Sequence, residues 1–153
     1  MPSPNEREPS QKIFTLEQAN AMLPLVGAIV KDLADLSRDV IDRRERLLAL
    51  RDNQPSSKKD IYQQELQQIE EELEADSKRL RDYVLELQSL GVEPKNGPEG
   101  IVDFPCLIHD HVALLCWKLG ETEITHWHEI DAGFAGRQAL PSELTEHRPE
   151  IHS

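Results

Sequence analysis

Two histidines two positions apart, His126 and His128, stand in the stretch Ile124 to Arg137, read as ITHWHEIDAGFAGR. The same stretch carries Trp127, Glu129, Asp131, Gly133, Gly136 and Arg137. In an extended strand, residues two apart point to one face. Ile124, His126 and His128 therefore share one side, and Thr125, Trp127 and Glu129 share the other. Two imidazoles about 7 Å apart along one strand can hold a single zinc or iron ion. Glu129 or Asp131, next in line, would complete the ligand set or serve as a catalytic acid and base. No third ligand is fixed by the spacing, and an H-x-H pair alone is a weak signal. The plainer expectation is one histidine hydrogen-bonded within the fold and the other incidental.

Gly133-Phe134-Ala135-Gly136-Arg137 offers a second chemistry. Glycines let backbone N–H groups approach a ligand closely, and a guanidinium binds phosphate or carboxylate with two bonds. Such a loop suits a small anion. A tight turn with Arg137 paired to a nearby acid is the simpler outcome, because positive residues are scarce after position 90. Trp127, Lys118 and Glu121 complete the candidate ligand surface. Against that, Trp117 and Trp127 are expected to pack on the helices, and Lys118 with Glu121 to form an exposed ion pair of small energy. Cys106, His109 and His111 match no zinc-ribbon spacing. Cys116 and Cys106 read as small buried hydrophobes with no adjacent base to activate them.

The elements that must position these residues follow from periodicity. Residues 1–12 are polar and hold three prolines, so a disordered arm is expected. Thr15-Leu16-Glu17-Gln18 fits a capping box. Pro24 predicts a break after a short helix at 16–22, with the proline in the first turn of a longer helix that runs to about Arg51. Val26, Ile29, Val30, Leu33, Leu36, Val40, Ile41, Leu47 and Leu48 recur at threes and fours along it, interrupted by Arg44. A turn is expected at Asn53–Ser57, with Ser57 as a cap. The second helix carries a heptad seam of Tyr62, Leu66, Ile69, Leu73, Asp76, Leu80, Tyr83, Leu87 and Leu90, closed by Gly91. Asp76 is its one charged member, and Arg44 is the partner expected across the hairpin.

After Gly91 the helical period ends. Ile101 to Phe104 reads as a short strand stopped by Pro105, Val112 to Leu119 as a central strand, and Ile124 to Glu129 as its returning neighbour after a turn at Gly120. The fold class is α+β: a long antiparallel helical hairpin (13–91) with a small antiparallel sheet of about three strands and the glycine loop (92–140) at its open end. Residues 13–140 form one domain, and 141–153 a loose tail.

Composition narrows the partners. The chain has 153 residues and a net charge of −12. An acidic surface repels phosphate backbones and anionic membranes, so neither nucleic acid nor membrane is expected as a partner. No secretion-type or membrane-length apolar run is visible, and two cysteines make no disulfide framework. Reduced thiols in the cytoplasm are the expectation.

The runs GIVDFPCL, LLCWKLGE and THWHEIDAGFAGR, with the opening FTLEQANAMLPLV, resemble a bacterial family catalogued as domain of unknown function 2203. The resemblance covers roughly residues 13–140. Its pattern falls on Asp103-Phe104-Pro105, Trp117-Lys118, Gly120-Glu121, Trp127-His128-Glu129 and Gly133-Phe134-x-Gly136-Arg137. The resemblance implies a longer Asp-Gly turn where this chain has His109-Asp110-His111. It implies no activity. The leading expectation is a cytoplasmic binding module that forms a homodimer through the hairpin, because the stripe on 26–48 is wider than a two-helix seam. The alternative is a metal-binding protein or metal-dependent enzyme built on His126, His128 and Arg137. A small-anion sensor ranks third.

Overall fold

The computed structural model describes residues 12–52 and 59–145. The expected arm, the turn at Asn53–Ser57 and the end of the tail lie outside them. The first helix, α1, spans Leu16–Asp52. The capping box forms as the sequence predicts: Thr15 N–H donates to Gln18 Oε1 and Gln18 N–H donates to Thr15 Oγ1, both at 3.0 Å. The expected break does not occur, and Pro24 lies inside one continuous helix. Pro24 is exposed, so the carbonyl it leaves unbonded need not be buried. On either side of it the helix buries Leu16 and Ala19, then Val26, Ile29 and Val30, in the same core. That packing outweighs the lost hydrogen bond.

Helix α2 spans Lys59–Ser89. Every member of its predicted seam is buried or half-buried. It ends on Gly91 at φ 88°, where Gly91 N–H donates to Gln88 O and Val92 N–H to Leu87 O. These two bonds satisfy carbonyls the helix leaves open, and only a residue tolerant of positive φ fits there. Asp76 is buried on the seam, but its partner is Arg43 and not Arg44. Arg43 lies three residues after buried Val40 and four before buried Leu47, so it faces α2, while Arg44 faces solvent. Arg43 also reaches Glu72 at 3.4 Å.

The sheet has five strands rather than three: β1 Glu93–Asn96, β2 Ile101–Ile108, β3 His111–Lys118, β4 His126–His128 and β5 Gln138–Ala139. Their spatial order is their order in the chain, all antiparallel. Pro105 does not end β2. β1 covers β2 only as far as Asp103, and Pro105 lies past it, where its carbonyl accepts from Phe14 N–H at 2.7 Å. A missing N–H is tolerated there, where β1 does not pair with β2. The β2–β3 connection is a two-residue turn, His109-Asp110, at φ 51° and 66°. The short strands β1 and β5 lacked an alternating pattern long enough to register in the sequence.

One face of the sheet packs on the open end of the hairpin. Val102, Phe104, Cys106 and Ile108 of β2, Ala113, Leu115 and Trp117 of β3, and Trp127 of β4 join the core with Leu87, Val92 and the first half of α1. Both tryptophans therefore take the packing role. Strand alternation sends Asp103, Cys116, His126 and His128 to the opposite face.

Candidate metal centre

Part of that opposite face is buried too. Asp103 and Cys116 are fully enclosed and His128 is 2% exposed. Asp103 pairs with Cys116 across β2–β3, and His128 stands one step along β4, opposite Leu114. Its ring reaches diagonally to Asp103, with Nε2 3.0 Å from Oδ1. One donor atom from each of the three residues falls within 4.8 Å of the others.

The proton arrangement follows from the partners. His128 Nδ1 is 2.7 Å from the carbonyl of Glu129. A carbonyl only accepts, so Nδ1 carries a hydrogen, and Nε2 is the ring atom that faces Asp103 Oδ1. A nitrogen and a carboxylate oxygen 3.0 Å apart need a cation between them, either a proton or a metal ion. Burial pushes the Asp103 carboxyl above its usual range, against the pull of His128. Asp103 Oδ2 has no hydrogen-bond partner, although it is buried. The Cys116 thiol beside it is pushed up to about 12 by burial and by the Asp103 charge, so Cys116 is no free nucleophile. Cys106 is likewise raised to about 12 by burial, and its side chain belongs to the helix-facing core.

The other sequence candidates lie around this cluster. His126 shares the face of His128, but its Nδ1 is 2.8 Å from Thr125 Oγ1 and it is not among the three donors. Glu129 turns outward to His111 Nε2 at 2.9 Å, and Asp131 is exposed. Arg137 closes over the site from the glycine loop. Its Nη1 and Nη2 meet Glu121 at 3.1 and 3.2 Å, and Nη2 also donates to the backbone carbonyl of Cys116 at 3.1 Å. The guanidinium lies 4.6 Å from the Phe134 ring centroid. Gly133 takes φ 71°, and a Cβ on Gly136 would lie 2.8 Å from that of Ala132, so both glycines shape this cover. Burial would raise Glu121, but the bonds from Arg137 and from Lys118 N–H outweigh it and hold its carboxyl below the usual value. The expected Lys118–Glu121 ion pair does not form: Lys118 Nζ points to Glu99 at 3.7 Å.

Asp103 and Cys116 are the residues that sequence reasoning missed as candidate ligands. A lone acid inside the apolar run Ile101–Ile108 is the signal for the first, because a strand buries such a group only with a partner. A separate cavity of about 900 Å³, lined mainly by apolar residues such as Phe14, Leu16, Leu23, Leu107 and Leu144, opens by the start of α1 and contains none of the three donors.

Residues 12–140 match the profile of the family described as uncharacterized conserved protein (DUF2203). The chain belongs to the DUF2203 family. All five strands and both long helices of this DUF2203 protein fall within the match. No curated protein and no solved structure matches the chain. Among its described residues no helix is long and apolar enough to cross a membrane.

Proposed function

We propose that this DUF2203 protein binds one divalent transition-metal ion, zinc or iron(II), through Asp103, Cys116 and His128. One observation carries the reading: the His128 ring gives its Nδ1 hydrogen to the Glu129 carbonyl and turns Nε2 onto a buried carboxylate. Metal-bound histidines are oriented in this way by a second bond from the other ring nitrogen. The neighbouring donors suit the same ions, since imidazole, thiolate and carboxylate are the ligands of zinc and iron(II) sites. Two negative ligands would neutralise the dication in a place that water does not reach. In the metal-free protein a proton occupies the gap between Nε2 and Oδ1.

The test is elemental mass spectrometry on protein purified without an affinity tag, followed by zinc titration of the stripped protein. About one metal per chain is expected, with a rise in melting temperature on zinc addition. His128→Ala should lose both, while His126→Ala should keep both. Metal-free protein with melting curves indifferent to zinc and iron(II) would leave Asp103 and His128 as a structural pair.

A second reading, self-association through the hairpin, draws on the distal half of α1. Ile41 and Leu48, one heptad apart, are 42% and 58% exposed there, and Ile61 of α2 is 63% exposed near the same end. Acids and bases nearly balance along α1, whereas acids outnumber bases on α2. An α1-to-α1 contact therefore suits two copies of an acidic chain. Light scattering at micromolar concentration decides it, and a single species of 17.5 kDa would rule it out.

A further inference from the structure

The cavity of about 900 Å³ at the start of α1 stands apart from the metal centre. Its walls include Leu16, Asn20 and Leu23 of α1, Cys106 and Leu107 from the part of β2 that β1 leaves unpaired, and Leu144 of a short helix, α3, Ser142–Thr145. Pockets of about 300–1,000 Å³ with mostly apolar walls and a few fixed polar groups are those that hold small organic molecules. Leu107 is 52% exposed on this wall, apolar surface that an occupant would cover. The fixed polar group is Asn20. Its Oδ1 accepts from Ile124 N–H at 2.8 Å. A backbone N–H only donates, so the atom it meets is the oxygen, and the NH2 group is turned away from it. Among the described residues that NH2 group donates to no protein atom. Asn20 is half-buried, whereas Thr15 and Gln18, also on the wall, are exposed and bond each other.

Charge narrows the ligand further. The described lining residues include two carboxylates, Glu17 and Glu123, and no lysine, arginine or histidine. An anionic ligand would bring a like charge into an apolar space with nothing to match it. A protonated amine would turn donors onto the donors of Asn20, and Glu17 is exposed, where an ion pair adds little. Cys106 presents a neutral surface, since burial pushes its thiol up to about 12. We propose that this cavity binds an uncharged, largely apolar small molecule through one carbonyl oxygen, which accepts from the Asn20 NH2 group. Esters, ketones and amides with an alkyl or aromatic body make up the class. Burial of the body supplies the affinity, and the bond from Asn20 sets the orientation. None of Asp103, Cys116 and His128 lines the cavity, so the site stands or falls independently of the metal.

Nile red tests this, an uncharged dye with a ring carbonyl whose emission moves to the blue in apolar surroundings. The full chain should bind it at one site per chain with blue-shifted emission. Methyl decanoate should displace it, while decanoate and decylamine at neutral pH should compete about tenfold less well. Asn20→Asp keeps an oxygen for Ile124 N–H but has no NH2 group. It should melt close to wild type, and its affinity for Nile red should fall about tenfold with the hydrogen bond. A folded Asn20→Asp that binds as tightly as wild type overturns the proposal, as does displacement by decanoate or decylamine equal to that by the ester. Where Asn20→Asp does not fold, Leu107→Glu serves instead, because that side chain already stands half in solvent. A charge on the wall should weaken Nile red binding by about tenfold, and unchanged affinity overturns the proposal. A wild type that takes up no Nile red overturns it too, whether the chain's own tail or a second copy is the occupant.

Discussion

A carboxylate with no water around it must be matched atom by atom, and Asp103 shows how little freedom that leaves. Its Oδ1 faces Nε2 of a histidine whose other ring nitrogen donates to a carbonyl. Asp103→Asn can donate an amide hydrogen to Nε2, so the metal-free fold should melt within a few degrees of wild type. Asp103→Leu leaves Nε2 buried and unpaired and should cost about 1–3 kcal/mol. Urea denaturation of both variants checks this, and equal losses would mean that an amide does not replace the carboxylate at this position. A second residue-scale expectation concerns the turn at His109-Asp110, where both residues take the left-handed conformation. Two-residue hairpin turns of this kind favour Asn-Gly or Asp-Gly. Asp110 is exposed, so Asp110→Gly removes the Cβ strain at no cost in contacts and should stabilise by about 0.5–1 kcal/mol. At this scale the sequence was partly legible. The shared face of His126 and His128 follows from strand geometry alone. Their separation in role does not, because it depends on which neighbour each ring meets, Thr125 for one and Asp103 for the other.

Single residues act here through elements, and the seam between α1 and α2 gives the clearest case. The α2 heptad was readable to its last member because each position repeats the same local spacing. The α1 stripe was less so: Ile41 and Leu48 fit the pattern yet face out, and one residue of phase decides that Arg43, not Arg44, meets Asp76. Removing either Arg43 or Asp76 alone is expected to cost about 1–3 kcal/mol, since the other charge is left partly buried without its match. A double-mutant cycle should give coupling for Arg43–Asp76 and none for Arg44–Asp76. The loop over the cluster is secured by the Glu121–Arg137 pair, with Glu121 held below its ordinary value of 4.5. A carboxylate with a depressed pKa in the fold adds stability above its unfolded pKa and loses it as the pH falls. Acid unfolding of the wild type should therefore steepen below about pH 4.5, and Glu121→Gln should flatten that part of the curve, as followed by circular dichroism. The sheet order was only partly legible for a related reason: β1 and β5 owe their extended form to pairing with β2 and β4, which no local period records.

For the whole molecule, the hairpin with a sheet at its open end was legible, because a change from helical to alternating period at Gly91 is a large signal. That arrangement leaves Ile41 and Leu48 uncovered on the distal half of α1. If two copies meet there, Ile41→Asp with Leu48→Asp should give the 17.5 kDa species alone and leave the melting of the sheet end unaffected. Added salt should tighten the contact, because it screens repulsion between copies of net charge −12. The edges of the sheet offer no rival contact. Its outermost strands are β1, four residues with Pro94 and an irregular register between Pro94 and Asn96, and β5, two residues long. A strand from another chain needs a straight run of unpaired N–H and C=O groups to add itself, and neither border supplies one. The protein is thereby protected from fibril-like stacking at high concentration, whichever of its surfaces proves to be the working one.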